Sequence, residues 1–218
     1  GVSLRLIPNI ESALSTAVSH NNKLGLSDNK VELIIVKTKT SVIIAESRGA
    51  QNITAYTRRD HGKPKRDAFV GMLPPKLAQI MLNLALGSKN DTPGLILAPF
   101  CGTGTVLQEA LLRQFDVIGT DLSDKMVSYT RENLNWITKS HKYTGQIIDI
   151  SQADATSNQW SNAQQIGAVV CETYLGQPFS APPSPAKLKE VTGNCNHIIS
   201  VFLKNIHPQL TPGTRLCI

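Results

Sequence analysis

The apolar positions of this chain switch from a helical period to an alternating one and back, and each switch predicts an element. From Glu11 to Asn22 the spacing of Leu14, Ala17 and Val18 is helical, with Asn9 available as a cap. Lys30–Lys37 and Ser41–Ser47 are rich in β-branched residues and are separated by Thr38-Lys39-Thr40, which predicts a hairpin. Pro74 and Pro75 open a helix through Leu86, because a proline in the first turn gives up no intrahelical hydrogen bond. A polar turn, 87–94, follows. Beyond it, strand patterns at 94–98, 116–120, 145–150, 167–171 and 213–218 alternate with helical patterns at 104–114, 123–138 and 185–207. That alternation predicts an α/β fold: a doubly wound, mostly parallel sheet with helices on both faces, and a small α+β region ahead of it.

The first of these sheet strands leads into the most informative stretch, Leu95-Ile-Leu-Ala-Pro-Phe-Cys-Gly-Thr-Gly104. A strand that runs into a glycine turn and then a helix lets backbone approach a ligand closely, since glycine has no Cβ. Pro99, Phe100, Cys101, Gly102, Thr103 and Gly104 are therefore candidate cofactor contacts. The next apolar run ends at Asp121 and Leu122, and a carboxylate one strand over accepts hydrogen bonds from ribose hydroxyls. A dinucleotide turn would carry a third glycine where this chain has Leu107, and no phosphate-cradling loop with a lysine follows. The arrangement favours S-adenosylmethionine over NAD or ATP. The competing reading is an ordinary strand–turn–helix corner, and Asp121 weighs against it.

Two later strand ends add chemistry. Asp154 and Ala155 follow the third strand, where a carboxylate can accept a hydrogen bond from an adenine amine; a surface turn is the alternative. The fourth strand exits through Cys171-Glu-Thr-Tyr-Leu-Gly176. Methylating an exocyclic amine is hard because its lone pair is delocalised into the ring. Glu172 can accept the amine's hydrogens and take its proton, and Tyr174 can stack on an extruded base. Read blandly, these are a solvated strand-end acid and a core tyrosine.

Composition narrows the class. With 218 residues, 41% of them hydrophobic, the chain can bury one good core plus a small appendage. No apolar run approaches the ~18 residues of a membrane span, and no secretory leader opens the sequence, so a cytoplasmic protein without membrane contact is expected. The four cysteines show no paired spacing and the five histidines are scattered, so no metal site is expected. The net charge of +6 permits a polyanionic partner. Arg58, Arg59, Lys63, Lys65, Arg66 and Lys76 lie close together, and His61, Gly62 and Pro64 suggest a loop. Such a segment is either a nucleic-acid strap or a solvated linker. The chain starts at Gly1 and stops in the apolar stretch Thr214–Ile218, so a fragment lacking further C-terminal strands is expected.

Several longer motifs resemble the THUMP-associated RNA methyltransferases, a family that includes enzymes methylating guanosine N2 in tRNA. They are Tyr56-Thr-Arg-Arg-Asp60, Gly71-Met-Leu-Pro-Pro-Lys-Leu-Ala78, Asn83-Leu-Ala85, Pro99–Gly104, Glu109-Ala110, Gly119-Thr-Asp121 and Glu132-Asn-Leu134. The resemblance implies a Rossmann-like class I methyltransferase that uses S-adenosylmethionine. It implies a partial N-terminal region at 1–50, a basic linker at 51–70 and the methyltransferase domain at 71–218. The implied cofactor residues are the Pro99–Gly104 turn, Asp121 at the ribose and Asp154 near the adenine.

Two positions depart from the family pattern. Ala98 stands where the family has an Asp that faces the methionine ammonium, a loss of about 1.5–3 kcal/mol for a charged hydrogen bond. Glu172-Thr-Tyr-Leu175 stands where Asp-Pro-Pro-Tyr is common. The expected activity is methyl transfer to a base amine of RNA, with tRNA as partner, Glu172 as acceptor and Tyr174 as platform. Two alternatives stay open: a non-catalytic RNA-binding or partner-activating subunit, and a DNA amino-methyltransferase. An activating protein subunit also stays open as a partner.

Overall fold

The computed structural model describes residues 6–8, 11–67, 71–87, 94–143 and 145–218. The expected cap Asn9 and residues 88–93 of the expected turn lie outside the described residues. The chain divides into two compact units, residues 1–58 and 59–218.

The first unit holds helix α1 (Thr16–Asn22) and strands β1 (Leu33–Lys37) and β2 (Val42–Glu46). The helix begins later than Glu11 because Ser15 caps it, its hydroxyl accepting from the Val18 N–H at 3.3 Å. The two strands form the expected antiparallel hairpin, pairing Lys37 with Val42 and Leu33 with Glu46. Thr38 closes the turn by accepting from the Ser41 N–H at 2.9 Å.

Helix α2 (Ile53–His61) runs across the division between the units. The basic segment was expected to be a loop, and its first half is helical instead. Asn52 caps it through the Ala55 N–H at 2.9 Å. No glycine or proline interrupts the helix before Gly62, so Gly62 and Pro64 end it and do not prevent it.

The second unit continues with α3 (Pro75–Leu86), β3 (Leu95–Ala98), α4 (Thr105–Leu112), β4 (Asp116–Asp121) and α5 (Asp124–Ser140). It ends with β5 (Ile147–Gln152), β6 (Ile166–Val170), α6 (Pro185–Ile206) and β7 (Arg215–Cys217). The five strands β3 to β7 form one sheet in the order β5-β4-β3-β6-β7, and every neighbouring pair is parallel. This is the doubly wound α/β architecture expected, with the order reversing at β3.

Burial on both faces explains why the strands read as continuous apolar runs. Ile96, Ala98, Val117, Ala168 and Val170 pack on one side with Leu82, Leu107, Leu111 and Leu134 of α3, α4 and α5. Their alternates Leu95, Leu97, Ile118 and Val169 pack on the other side with Phe202 and Ile206 of α6. Ala98 is fully buried in the first of these layers.

Candidate active site

In a sheet wound this way, ligands bind beyond the strands' carboxyl ends, where the strand order reverses. Here the loops after β3, β4, β5 and β6 converge on one cavity of about 790 Å³, within the range of small-molecule sites. Pro99, Phe100, Cys101, Gly102 and Thr103 line it, as do Asp121, Leu122, Asp154, Ala155, Glu172 and Tyr174. All of these were expected from sequence.

Gly104 is the exception. Its φ of +84° starts α4, and a Cβ there would lie 3.0 Å from the Thr130 side chain. This glycine lets two helices approach each other and does not line the cavity.

The glycine turn is held open from behind. The Gly102 N–H donates to Asp121 Oδ2 at 2.9 Å, and the Cys101 N–H donates to the Thr120 carbonyl at 2.9 Å. From α5, the Thr130 hydroxyl donates to the Gly102 carbonyl at 2.8 Å, and the Asn133 amide to the Thr103 carbonyl at 2.8 Å. Gly102 itself has φ +53°, and the place its Cβ would take is open space. The turn is therefore an empty-sided cradle on a fixed base.

The carboxylates differ in what they have left to offer. Asp121 accepts from Gly102 through Oδ2 and from the Ser123 N–H through Oδ1 at 3.0 Å, so each oxygen keeps a further lone pair. Asp154 Oδ1 accepts from the Thr156 hydroxyl at 2.6 Å and the Thr156 N–H at 2.8 Å. Those bonds hold its carboxyl below the usual range. Glu172 makes no hydrogen bond within the described residues, and partial burial raises its carboxyl above the usual range. Cys101 lines the same cavity, but burial pushes its thiol up to about 12, so it stays protonated at neutral pH and is no nucleophile.

The basic segment needs the largest correction. Arg59 and Lys63 are buried, at 7% and 3% exposure, and do not face a polyanion. Arg59 Nε donates to Glu109 Oε1 at 2.7 Å, and the Gln79 amide donates to Glu109 Oε2 at 2.7 Å. Lys63 Nζ donates to the Thr105 hydroxyl at 3.1 Å, and burial lowers its pKa. Asn133 accepts from the Lys65 N–H at 2.9 Å and donates to the Lys65 carbonyl at 3.0 Å. Buried Asp67 pairs with Lys125 at 2.6 Å. Residues 59–67 thus form a strap stitched to α4 and α5, behind the cradle. Arg58, Arg66 and Lys76 are exposed, and Lys65 is half-buried and pairs with Glu132 at 3.3 Å.

Sequence reading missed a whole wall of the cavity. Asn194, His197, Ile198 and Val201 line it from α6. Their i, i+3, i+4, i+7 spacing is a helical stripe that was present in the sequence and was not connected to the site.

A glycine turn, a carboxylate on the adjoining strand and an acid–aromatic loop thus line one cavity at the carboxyl ends of the strands. The chain belongs to the RMKL-like methyltransferase domain family, whose model matches residues 64–200. It is similar to a tRNA (guanine(10)-N2)-dimethyltransferase of Methanothermobacter thermautotrophicus, with 31% identity over 159 residues. That match covers 73% of this chain and 41% of the relative, so the chain spans about two fifths of its length. A second relative, named probable tRNA (guanine(10)-N2)-dimethyltransferase, is from Methanothermococcus thermolithotrophicus. It is 40% identical over 128 residues, covering 57% of this chain and 73% of the relative. The crystal structure of TrmN from Thermus thermophilus aligns with a TM-score of 0.49 and 22% identity, over 85% of this chain and 48% of that one.

Proposed function

We propose that this chain carries the catalytic centre of a cytoplasmic, S-adenosylmethionine-dependent RNA methyltransferase that acts on guanosine N2 in tRNA. One observation carries the reading: a single cavity joins the Gly102–Asp121 cradle to Glu172 and Tyr174. The names of the two relatives supply the acceptor, and the exposed cations Arg58, Arg66 and Lys76 suit a phosphate backbone.

The residues present fit the cofactor. The open side of Gly102 admits it, the remaining lone pairs of Asp121 suit two ribose hydroxyls, and Asp154 suits the adenine amine. When bound, S-adenosylmethionine supplies a methyl group already activated by its sulfonium. The protein's task is then to hold the acceptor and manage one proton. Tyr174 stacks on the base, Glu172 accepts a hydrogen bond from the amine and takes its proton, and the cavity walls keep water away.

Calorimetric titration with S-adenosylmethionine and S-adenosylhomocysteine, with NAD as control, tests the cofactor half. Saturable binding of the first two and none of NAD is expected; the reverse pattern would end the reading. Asp121→Ala is expected to weaken that binding by about 10- to 100-fold, the worth of hydrogen bonds to a charged group. An unchanged affinity would remove Asp121 from the ribose. Labelled-methyl transfer to tRNA, in competition with single-stranded and duplex DNA at fixed salt, tests the acceptor half.

The pH dependence has a definite sign. Glu172 works as a base only when ionised, and burial raises its pKa. Transfer therefore rises with pH along an acid limb centred above the ordinary glutamate value of about 4.3. A limb at or below that value, measured in kcat/KM, would contradict this role.

Ala98 favours a second reading. With no carboxylate at that position, a non-catalytic RNA-binding or partner-activating subunit would keep the fold and lack cofactor affinity. The same titration separates the two.

A further inference from the structure

The α6 wall of the cavity has a distinctive division of labour. Ile198 and Val201 are apolar, while Asn194 and His197 are polar and lie one turn apart on the same stripe. Most polar groups around the glycine cradle are engaged with protein: Asp121 holds two backbone N–H groups, and Asp154 holds Thr156. Asn194 and His197 differ: both are exposed on the open side of the cavity, and among the described residues neither side chain makes a hydrogen bond, so both are free to meet a ligand entering there. Glu172, reached from the same cavity, is in the same condition.

The wall is also fixed relative to the catalytic loop. Gly176, at φ +93°, lies so close to α6 that a Cβ there would sit 2.7 Å from Val191 Cγ1 and 3.6 Å from Cys195 Sγ. Those two contacts are on α6 within a turn of Asn194. The loop bearing Glu172 and Tyr174 is therefore seated on the helix that presents Asn194 and His197, and the two sets of groups line one space.

We propose that Asn194 and His197 read the accepting base, selecting guanine by its O6 and N1–H groups while its amine is held toward Glu172. The proposal rests on the guanosine-N2 reading above and deepens it. The chemistry matches: the Asn194 side chain offers a carbonyl to accept from N1–H, and either the Asn194 amide or a His197 N–H donates to O6. Adenine presents the opposite pattern at those two positions, so it would leave both protein groups mispaired.

The test uses S-adenosylhomocysteine-loaded protein and three RNA oligonucleotides that differ at a single base: guanosine, inosine or 2-aminopurine. Inosine keeps O6 and N1–H and lacks the amine, whereas 2-aminopurine keeps the amine and lacks the other two. Fluorescence anisotropy is expected to give similar affinities for guanosine and inosine, and at least about tenfold weaker binding of 2-aminopurine. Asn194→Ala and His197→Ala each lose about tenfold toward guanosine and inosine, and change little toward 2-aminopurine. His197→Gln, which keeps a donor, retains most of the affinity. Affinity for S-adenosylhomocysteine is unchanged in all variants.

Variants that bind all three oligonucleotides as the wild type does would overturn the proposal. So would a parallel loss of cofactor affinity, which would make these residues part of the cofactor site or of the fold. Wild-type protein that binds the cofactor but prefers 2-aminopurine, or binds none of the three, would overturn the guanosine reading itself.

Discussion

Glu172→Gln is expected to bind S-adenosylmethionine as the wild type does and to transfer methyl about 10²- to 10⁴-fold more slowly, a loss of about 3–5 kcal/mol in transition-state stabilisation. The substitution keeps size and shape. It removes only the ability to take a proton and to accept two strong hydrogen bonds. Because Glu172 makes no bond within the described protein, its loss has no structural partner to orphan, and the melting temperature should barely move. The acid limb of the pH profile should vanish along with the rate. Single-turnover transfer to tRNA, paired with calorimetry on the same preparation, reads both quantities. Turnover within threefold of wild type would take Glu172 out of the mechanism and leave positioning alone to explain the chemistry.

Arg59→Ala is expected to destabilise the protein by about 3–5 kcal/mol, because it strands a buried carboxylate. Glu109 has no exposure, and its two oxygens are answered by Arg59 and Gln79. Removing the guanidinium leaves a charge that must either stay buried without its counter-ion or take up a proton. For a chain of this size the melting midpoint should fall by roughly 6–20 °C. The double variant Arg59→Met/Glu109→Leu should recover much of that loss, since an apolar pair of similar volume carries no desolvation penalty. A single variant that melts within about 2 °C of wild type would show the pair to be dispensable.

The fold was largely legible because the sheet strands are short apolar runs between helices of clear period. Five parallel strands and the helices between them follow from that pattern almost without adjustment. The convergence of Gly102, Asp121 and Asp154 on one cavity was legible for a related reason: all three sit at strand ends, and a doubly wound sheet brings strand ends together. The basic segment was not legible. A cluster of arginines and lysines looks the same in sequence whether it faces water or a buried glutamate, and the partner of Arg59 lies 50 residues away. The signal was on the other side of the pair. Glu109 stands inside an eight-residue helix whose first seven positions are all buried, and an acid so placed requires a cation. The α6 wall was missed because half of its stripe, Asn194 and His197, is polar, and polar positions on a long helix normally face solvent. Gly176, without a Cβ, lets the loop after β6 pack closely against this helix.

One side chain ties the strap and the cradle together. Asn133 bonds Lys65 through both its amide oxygen and its amide nitrogen, and bonds Thr103 through the same nitrogen. Shifting either segment by even 1 Å would break a bond to the other. In evolutionary terms, residues 59–67 and the glycine turn are then a single heritable block. Recombination between relatives that separated them would join a cradle to a strap it had never been selected with, whereas exchanges that carry both across together would leave the glycine turn on its own base.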